Sequence, residues 1–202
     1  MKIPNGRKIQ LRKPEESDVV KLINWFQDPL FIKYLYGSQL QSMNELNQHA
    51  YQILNQNAKD TSAGLTLLME SKEQEAFGLI MFNHINWKDR NAELNIAIGE
   101  PQFRNSFNGI EAFILALIVG FCELNLHKIY GYVYHNNANS KHIVERAGVY
   151  EGTLRKHYYR DGEFVDLKVY SFFSAQFKDL LLNLKDNVLK KTFQQGYLNE
   201  YL

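Results

Sequence analysis

The chain is short of several things, and each shortage removes a class of protein. Its 202 residues include one cysteine, Cys122. That excludes an internal disulfide framework and any zinc site built from cysteines. A chain so poor in thiols suits a reducing compartment, so a cytoplasmic location is expected. Only four prolines are present, with no stretch rich in Gly, Ser or Pro and no internal repeat, so no linker divides the chain. Lys plus Arg number 23 and Asp plus Glu 22, a net charge of +1. This balance lacks the basic footprint of a nucleic-acid or membrane-surface binder, and neither partner is expected. The longest apolar run, Ala112 to Cys122, lies between Glu111 and Glu123. It is far short of the ~20 residues that cross a bilayer. The first residues, MKIPNGRKIQLRK, are polar and have no signal-peptide core. The six histidines show no metal-ligand spacing, and no metal is expected.

What the chain does have is apolar and aromatic mass: 45% hydrophobic residues, with 13 Phe and 12 Tyr. That suffices for one sizeable core. Lys8 to Lys13 alternates as a half-buried strand does. Pro14 ends it, and Ser17-Asp18 start a helix with Val19, Leu22, Ile23 and Phe26 at helical spacing. Asp28-Pro29 stops that helix and opens a short aromatic one, Leu30 to Tyr36. Ser42 to Asn57 is a third helix. From Leu65 the period becomes two, with strands at Leu65 to Met69, Ala76 to Ile85 and Ala92 to Ile98. Phe107 to Leu124 is a helix apolar nearly all round, and His127 to Tyr134 is the next strand. Asn139 to Ala147 is a short helix that Gly148 closes in the left-handed conformation. Asp161-Gly162 joins strands Val149 to Tyr159 and Glu163 to Phe173 as a hairpin. This order predicts a mixed α/β sheet with helices on its faces. Ala92–Ile98, its helix and His127–Tyr134 form a parallel unit, whose carboxyl ends are the favoured ligand crevice. One domain, 1–174, and a C-terminal helical extension, 175–202, follow; the extension either caps the domain or pairs with a second copy as a homodimer.

Two segments carry chemistry. In "RNSFNGIEA", Arg104 to Ala112, a turn feeds a helix whose first amides and dipole end suit a pyrophosphate. Equally, any helix needs a leading turn, with Gly109 making a first-turn packing contact. In "NNANSKHIVERAGVYEG", Asn137 and Ser140 cap a helix or reach a ligand beside it.

Together with "LRKPEESDVVKLINWFQDP", "AELNIAIG" and "EGTLRKHYYRDGEFVD", these segments resemble the GNAT superfamily of acyl-CoA-dependent N-acyltransferases, from about Lys8 to Phe173. The resemblance is to the branch of the ribosomal-protein-alanine and amino-sugar N-acetyltransferases. It implies a twisted, mostly antiparallel sheet with a parallel pair at the cosubstrate site and helices on both faces. It also implies direct transfer of an acetyl group from acetyl-CoA to a primary amine of an amino sugar, an amino-acid derivative or a protein N-terminus.

The implied pyrophosphate loop is Arg104, Asn105, Ser106, Phe107, Asn108 and Gly109, with Phe107 where the family has glycine. Backbone amides near Ile96, Ala97 and Ile98 would bind the thioester carbonyl and pantetheine, and Asn137 and Ser140 would touch the cosubstrate. Ser140 stands where the branch places its general acid. Glu93, which shares a strand face with Asn95 and Ala97, is either the base, acting through water, or a carboxylate on a solvated face or paired with a lysine. His84, on the strand edge before Asn86-Trp87, would face the substrate groove as a second base, and Trp25 and Tyr34 would wall the acceptor pocket or else belong to the core. A competing reading makes the chain a non-catalytic GNAT-like binding module that has lost acetyl-CoA. Phe107 favours that reading; Glu93, Asn137 and Ser140 oppose it.

Overall fold

A computed structural model describes residues 1–32, 35, 42–56, 63–104, 106–134, 144–160 and 162–183, with the backbone alone at 56, 106, 178 and 180–183. The opening segment reaches strand β1 (Gln10–Arg12), and a 3-10 turn leads to α1 (Val19–Gln27), α2 (Pro29–Ile32) and α3 (Met43–Gln56). A meander follows: β2 (Leu65–Glu70), β3 (Ala76–Asn86) and β4 (Asn91–Ile98). Helix α4 (Ser106–Ile118) then crosses to β5 (Lys128–Tyr134), and β6 (Val149–Arg160) and β7 (Glu163–Phe173) close the sheet as a hairpin. Helix α5 (Ser174–Asn183) leaves from the end of β7.

Among the described residues, seven strands form one sheet in the order β1-β2-β3-β4-β5-β7-β6. Only β4 and β5 pair in parallel, and the other neighbours are antiparallel. The mixed sheet and its parallel unit are as the sequence predicts. Two cores follow from strand alternation. On one face, α4 and the turn that continues it pack Ala112, Leu115 and Val119 over Ile80, Phe82, Leu94 and Ile129. On the other, α1 to α3 pack Leu22, Phe26 and Ile53 over Leu68, Leu79 and Ala97. Thus β2 and β3, covered on both faces, are buried along most of their length.

Two details depart from the sequence reading. The long helix turns π-helical at Val119–Glu123, with the Leu124 amide bonded to the Val119 carbonyl. Gly148 is not in the left-handed region; a Cβ there would stand 2.9 Å from the Phe172 ring, so close packing is what asks for glycine. The left-handed glycine is instead Gly162, at φ 88° in the hairpin turn, where a side chain would be strained. Of the helix expected at 139–147, residues 144–147 are described as helical. At the start of α5, Phe177 is buried against Phe121, with ring centroids 5.2 Å apart.

Candidate active site at the gap between the parallel strands

The parallel ladder holds only three pairs: Asn91 with Lys128, Ala92 with Ile129 and Glu93 with Tyr130. A Cβ on Gly131 would meet the Leu94 carbonyl oxygen at 3.3 Å, so the strands still touch at that level. Past it, β4 follows β3 to Ile98 while β5 follows β7 to Tyr134. The sheet opens between the carboxyl ends of its parallel pair, where such sheets take ligands.

Ladder alternation decides which backbone groups face this gap. The Gly99 amide donates to the Phe77 carbonyl at 2.8 Å. Counting back by twos, the amides and carbonyls of Ala97 and Asn95 also point at β3, and those of Ile96 and Ile98 point into the gap. Of the three expected backbone contacts, Ile96 and Ile98 have the right orientation. Ala97 does not, because its backbone faces β3 and its methyl is buried towards α1–α3.

Glu93 stands at the head of the gap with its side chain 15% exposed. Its carboxylate is held from two sides. His84 Nδ1 lies 3.1 Å from Oε2, and Asn95 Nδ2 donates to Oε1 at 2.9 Å. His84 gets there through an irregularity: the β3–β4 register shifts between Asn83 and Asn86, and His84 sits at φ 52° with its side chain 77% exposed. A non-glycine residue in that region costs ~1–2 kcal/mol. The structure thus joins two expected site residues, Glu93 and His84, and adds Asn95.

Opposite them, β5 brings phenols that the sequence analysis did not single out. Tyr130 and Tyr132 lie on the Glu93 face with ring centroids 6.0 Å apart. Burial raises both phenol pKa values above their usual range. The neighbouring phenol and the Glu93 charge add to this at Tyr130, as do Glu93 and then Tyr158 at Tyr132. Both remain O–H donors at neutral pH. The row continues through Tyr134 and Tyr158 to Arg160, whose guanidinium lies 4.5 Å from the Tyr158 ring centre. Alternation in KIYGYVY was a usable signal for the tyrosines, but only the parallel register puts them opposite Glu93.

The loop after β4 is cemented rather than open. Arg104 Nε donates to the Ile98 carbonyl at 3.1 Å, and Nη2 donates to the Gly99 carbonyl at 2.8 Å and to Asp28 Oδ2. Arg104, the first residue of the implied pyrophosphate loop, is therefore engaged by the loop itself. Desolvation raises the Asp28 pKa, but hydrogen bonds from Arg104 and the Leu30 amide, with the guanidinium charge, more than offset it and hold Asp28 below its usual value. Trp25, expected to wall the acceptor pocket, is 4% exposed. Its indole donates to Glu100 Oε1 at 3.0 Å, and a Cβ on Gly99 would stand 2.4 Å from its ring. It is a strut beneath the loop.

At the first turn of α4 the ring of Phe107 points to solvent, 72% exposed. Asn108 Nδ2 donates to the Phe103 carbonyl at 3.3 Å. Among the described residues nothing lies within 4 Å of where a Gly109 Cβ would stand, and its backbone is not left-handed. Glycine in a helix costs ~1 kcal/mol against alanine, yet neither the described neighbours nor the backbone asks for it here. Open space before the amides of a helix start fits a phosphate. With the gap-facing amides of Ile96 and Ile98, this surface fits acetyl-CoA. Tyr34, Asn105, Asn137, Ser140 and the Ser106 side chain lie outside the described residues. Among the described residues no group of three or more His, Cys, Asp and Glu could hold a metal ion, and no helix is long and apolar enough to cross a membrane.

Comparison with known proteins places this geometry. Residues 8–149 match the family model described as "Acetyltransferase (GNAT) domain". The spermidine N(1)-acetyltransferase of Vibrio cholerae serotype O1 is 28% identical over 161 residues, covering 79% of this chain and 90% of the relative. The spermidine N(1)-acetyltransferase of Escherichia coli K12 is 25% identical over 163 residues, covering 80% and 84%. Among solved structures, spermidine N-acetyltransferase from Vibrio cholerae in complex with CoA and spermine superposes with a TM-score of 0.76 at 26% identity, over 85% of this chain and 98% of that one. These relatives are named for a polyamine, whereas the resemblance read from the sequence pointed to the ribosomal-protein-alanine and amino-sugar branch.

Proposed function

Since the chain belongs to the GNAT acetyltransferase family, as an N-acetyltransferase that uses acetyl-CoA on an amine, we propose that its acceptor is a small cationic amine of the spermidine class. The observation that carries this reading is Glu93, held by His84 and Asn95 at the head of the sheet gap and faced by Tyr130 and Tyr132. A carboxylate beside aromatic faces attracts an ammonium.

Acetyl-CoA supplies the acetyl group as a thioester. Ile96 and Ile98 offer backbone groups to it along the gap, and the first turn of α4, open at Gly109, receives its phosphates. Glu93 takes the proton that the acceptor ammonium must lose before its nitrogen can attack. Asn95 and His84 fix the carboxylate in place, and exposed His84 passes the proton to water. Ser140, as the donor to the departing sulfur, belongs to the same proposal.

The test is thiol release from acetyl-CoA with a panel of spermidine, spermine, glucosamine and a peptide with a free N-terminal alanine. Release with the polyamines is expected. Release only with glucosamine or the peptide overturns the acceptor class, and release with none of the four overturns the proposal.

A further inference from the structure

The row of phenols that faces Glu93 ends on a positive charge. From Tyr130, opposite Glu93 in the parallel register, it runs along β5 through Tyr132 to Tyr134. It then crosses to Tyr158 on β6, with the Tyr134 and Tyr158 ring centroids 6.2 Å apart. Arg160 lies at the end of this row. Its guanidinium is 4.5 Å from the centre of the Tyr158 ring and 6.0 Å from that of Tyr134. Nη1 donates to the Tyr159 carbonyl at 2.7 Å, and Nη2 to the Tyr134 hydroxyl at 3.4 Å. Nε is buried, with no hydrogen-bond partner among the described residues. Two rings, a carbonyl and a phenol thus hold the guanidinium, and no carboxylate among those residues bonds to it. Aromatic faces in line with a carboxylate make a seat for a cation, and here a cation of the chain itself fills it.

We propose that Arg160 selects acceptors by length: its guanidinium occupies the seat that the far ammonium of a long polyamine would take, and so favours amines that end short of it. This rests on the reading of the acceptor as a small cationic amine bound at Glu93. Four residues of strand, from Tyr130 to Tyr134, span about 13 Å. An acceptor whose second ammonium lies well inside that distance meets phenol faces alone. One that carries its second ammonium at that distance meets a like charge, and finds the cation–π contact already taken.

Thiol release from acetyl-CoA by the full chain tests it, with diaminobutane, diaminodecane and spermidine as acceptors. The quantity read is kcat/KM for diaminodecane divided by that for diaminobutane. Arg160→Gln is expected to raise this ratio about tenfold, chiefly through a lower KM for the long diamine. Arg160→Lys, which keeps the charge, should stay within about threefold of the parent. In the parent, added salt should raise the same ratio by screening the repulsion, and in Arg160→Gln it should not. A guanidinium that only braced the hairpin would lower both rates together and leave the ratio where it was. An unchanged ratio in Arg160→Gln, or a parent ratio that salt does not raise, overturns the proposal alone and leaves the acceptor class standing. A lower ratio in Arg160→Gln would make the guanidinium an aid to the long acceptor and overturn it as well. A parent that releases thiol with none of the three acceptors overturns both.

Discussion

The two halves of β4 do opposite things with the same strand. In the first half, Asn91 to Glu93, the backbone is paired on both sides, to β3 and to β5. Its contribution there is a side chain, Glu93, held still by His84 and Asn95. In the second half only β3 is paired in the described ladders, and the side chains of Ile96 and Ile98 pack on the α4 core. What that half contributes is backbone facing a gap, with its end clamped by Arg104. A fully paired strand orients a side chain well, because its backbone cannot shift. A strand released on one edge has amides and carbonyls to give, but needs a clamp where the second neighbour is missing.

This contrast can be broken at four points. The largest effect is expected from Glu93→Gln, which keeps the hydrogen-bonded shape and removes the base. Steady-state kinetics should show kcat/KM lower by about 10²–10³ with an unchanged melting temperature. A parent-like rate would move the base elsewhere.

At the clamped end, Gly99→Ala drives a Cβ to within 2.4 Å of the Trp25 ring. Overpacking of this kind costs about 1–3 kcal/mol in denaturant unfolding, and the displaced loop should raise the KM for acetyl-CoA.

Asp28→Asn removes the charge that holds Arg104. A loss of ~1 kcal/mol at neutral pH is expected, together with weaker CoA binding. The pH dependence has a definite sign. A carboxylate whose pKa is depressed in the fold stabilises it above the unfolded value of 3.8, and that contribution is lost as pH falls through the lower folded value. The parent should therefore lose stability on acidification below about pH 4 more steeply than Asp28→Asn, which thermal melts between pH 2 and 7 would register.

The smallest effect is at the paired end. Tyr132→Phe keeps the ring and drops the hydroxyl, so the KM for the amine should rise about two- to threefold with kcat nearly unchanged. An equal loss in kcat would make the phenol part of the chemistry.

Much of the fold was legible because it rests on local periods. Alternation marked β2, β3 and β4 within a residue or so, and the same alternation put Glu93 and Asn95 on one face. The Asp161-Gly162 signal marked the hairpin, and Gly162 adopts the expected positive φ. Gly148 misled, because a glycine after a helix serves close packing as readily as a left-handed cap, and only the Phe172 ring distinguishes them. His84 was legible as a neighbour of the site. Its bond to Glu93 depends on a register shift that leaves no mark in composition. Trp25 looked like pocket wall because an aromatic at that place on a helix serves wall and core alike; contact with Gly99 decides for core.

By itself, the sequence determined the order of elements, the parallel unit around α4 and the face that carries Glu93. Each follows from the geometry of helix and strand repeating along the chain. Tertiary structure alone decided the partners of the charges. Arg104 meets Asp28 across 76 positions, Glu111 meets the Lys8 amide across 103, and Phe107 turns to solvent beneath Lys8. A guanidinium, a carboxylate or an exposed ring accepts many neighbours, and no periodicity selects among them. The selection comes from which segments the two cores bring together, and that is a property of the folded sheet.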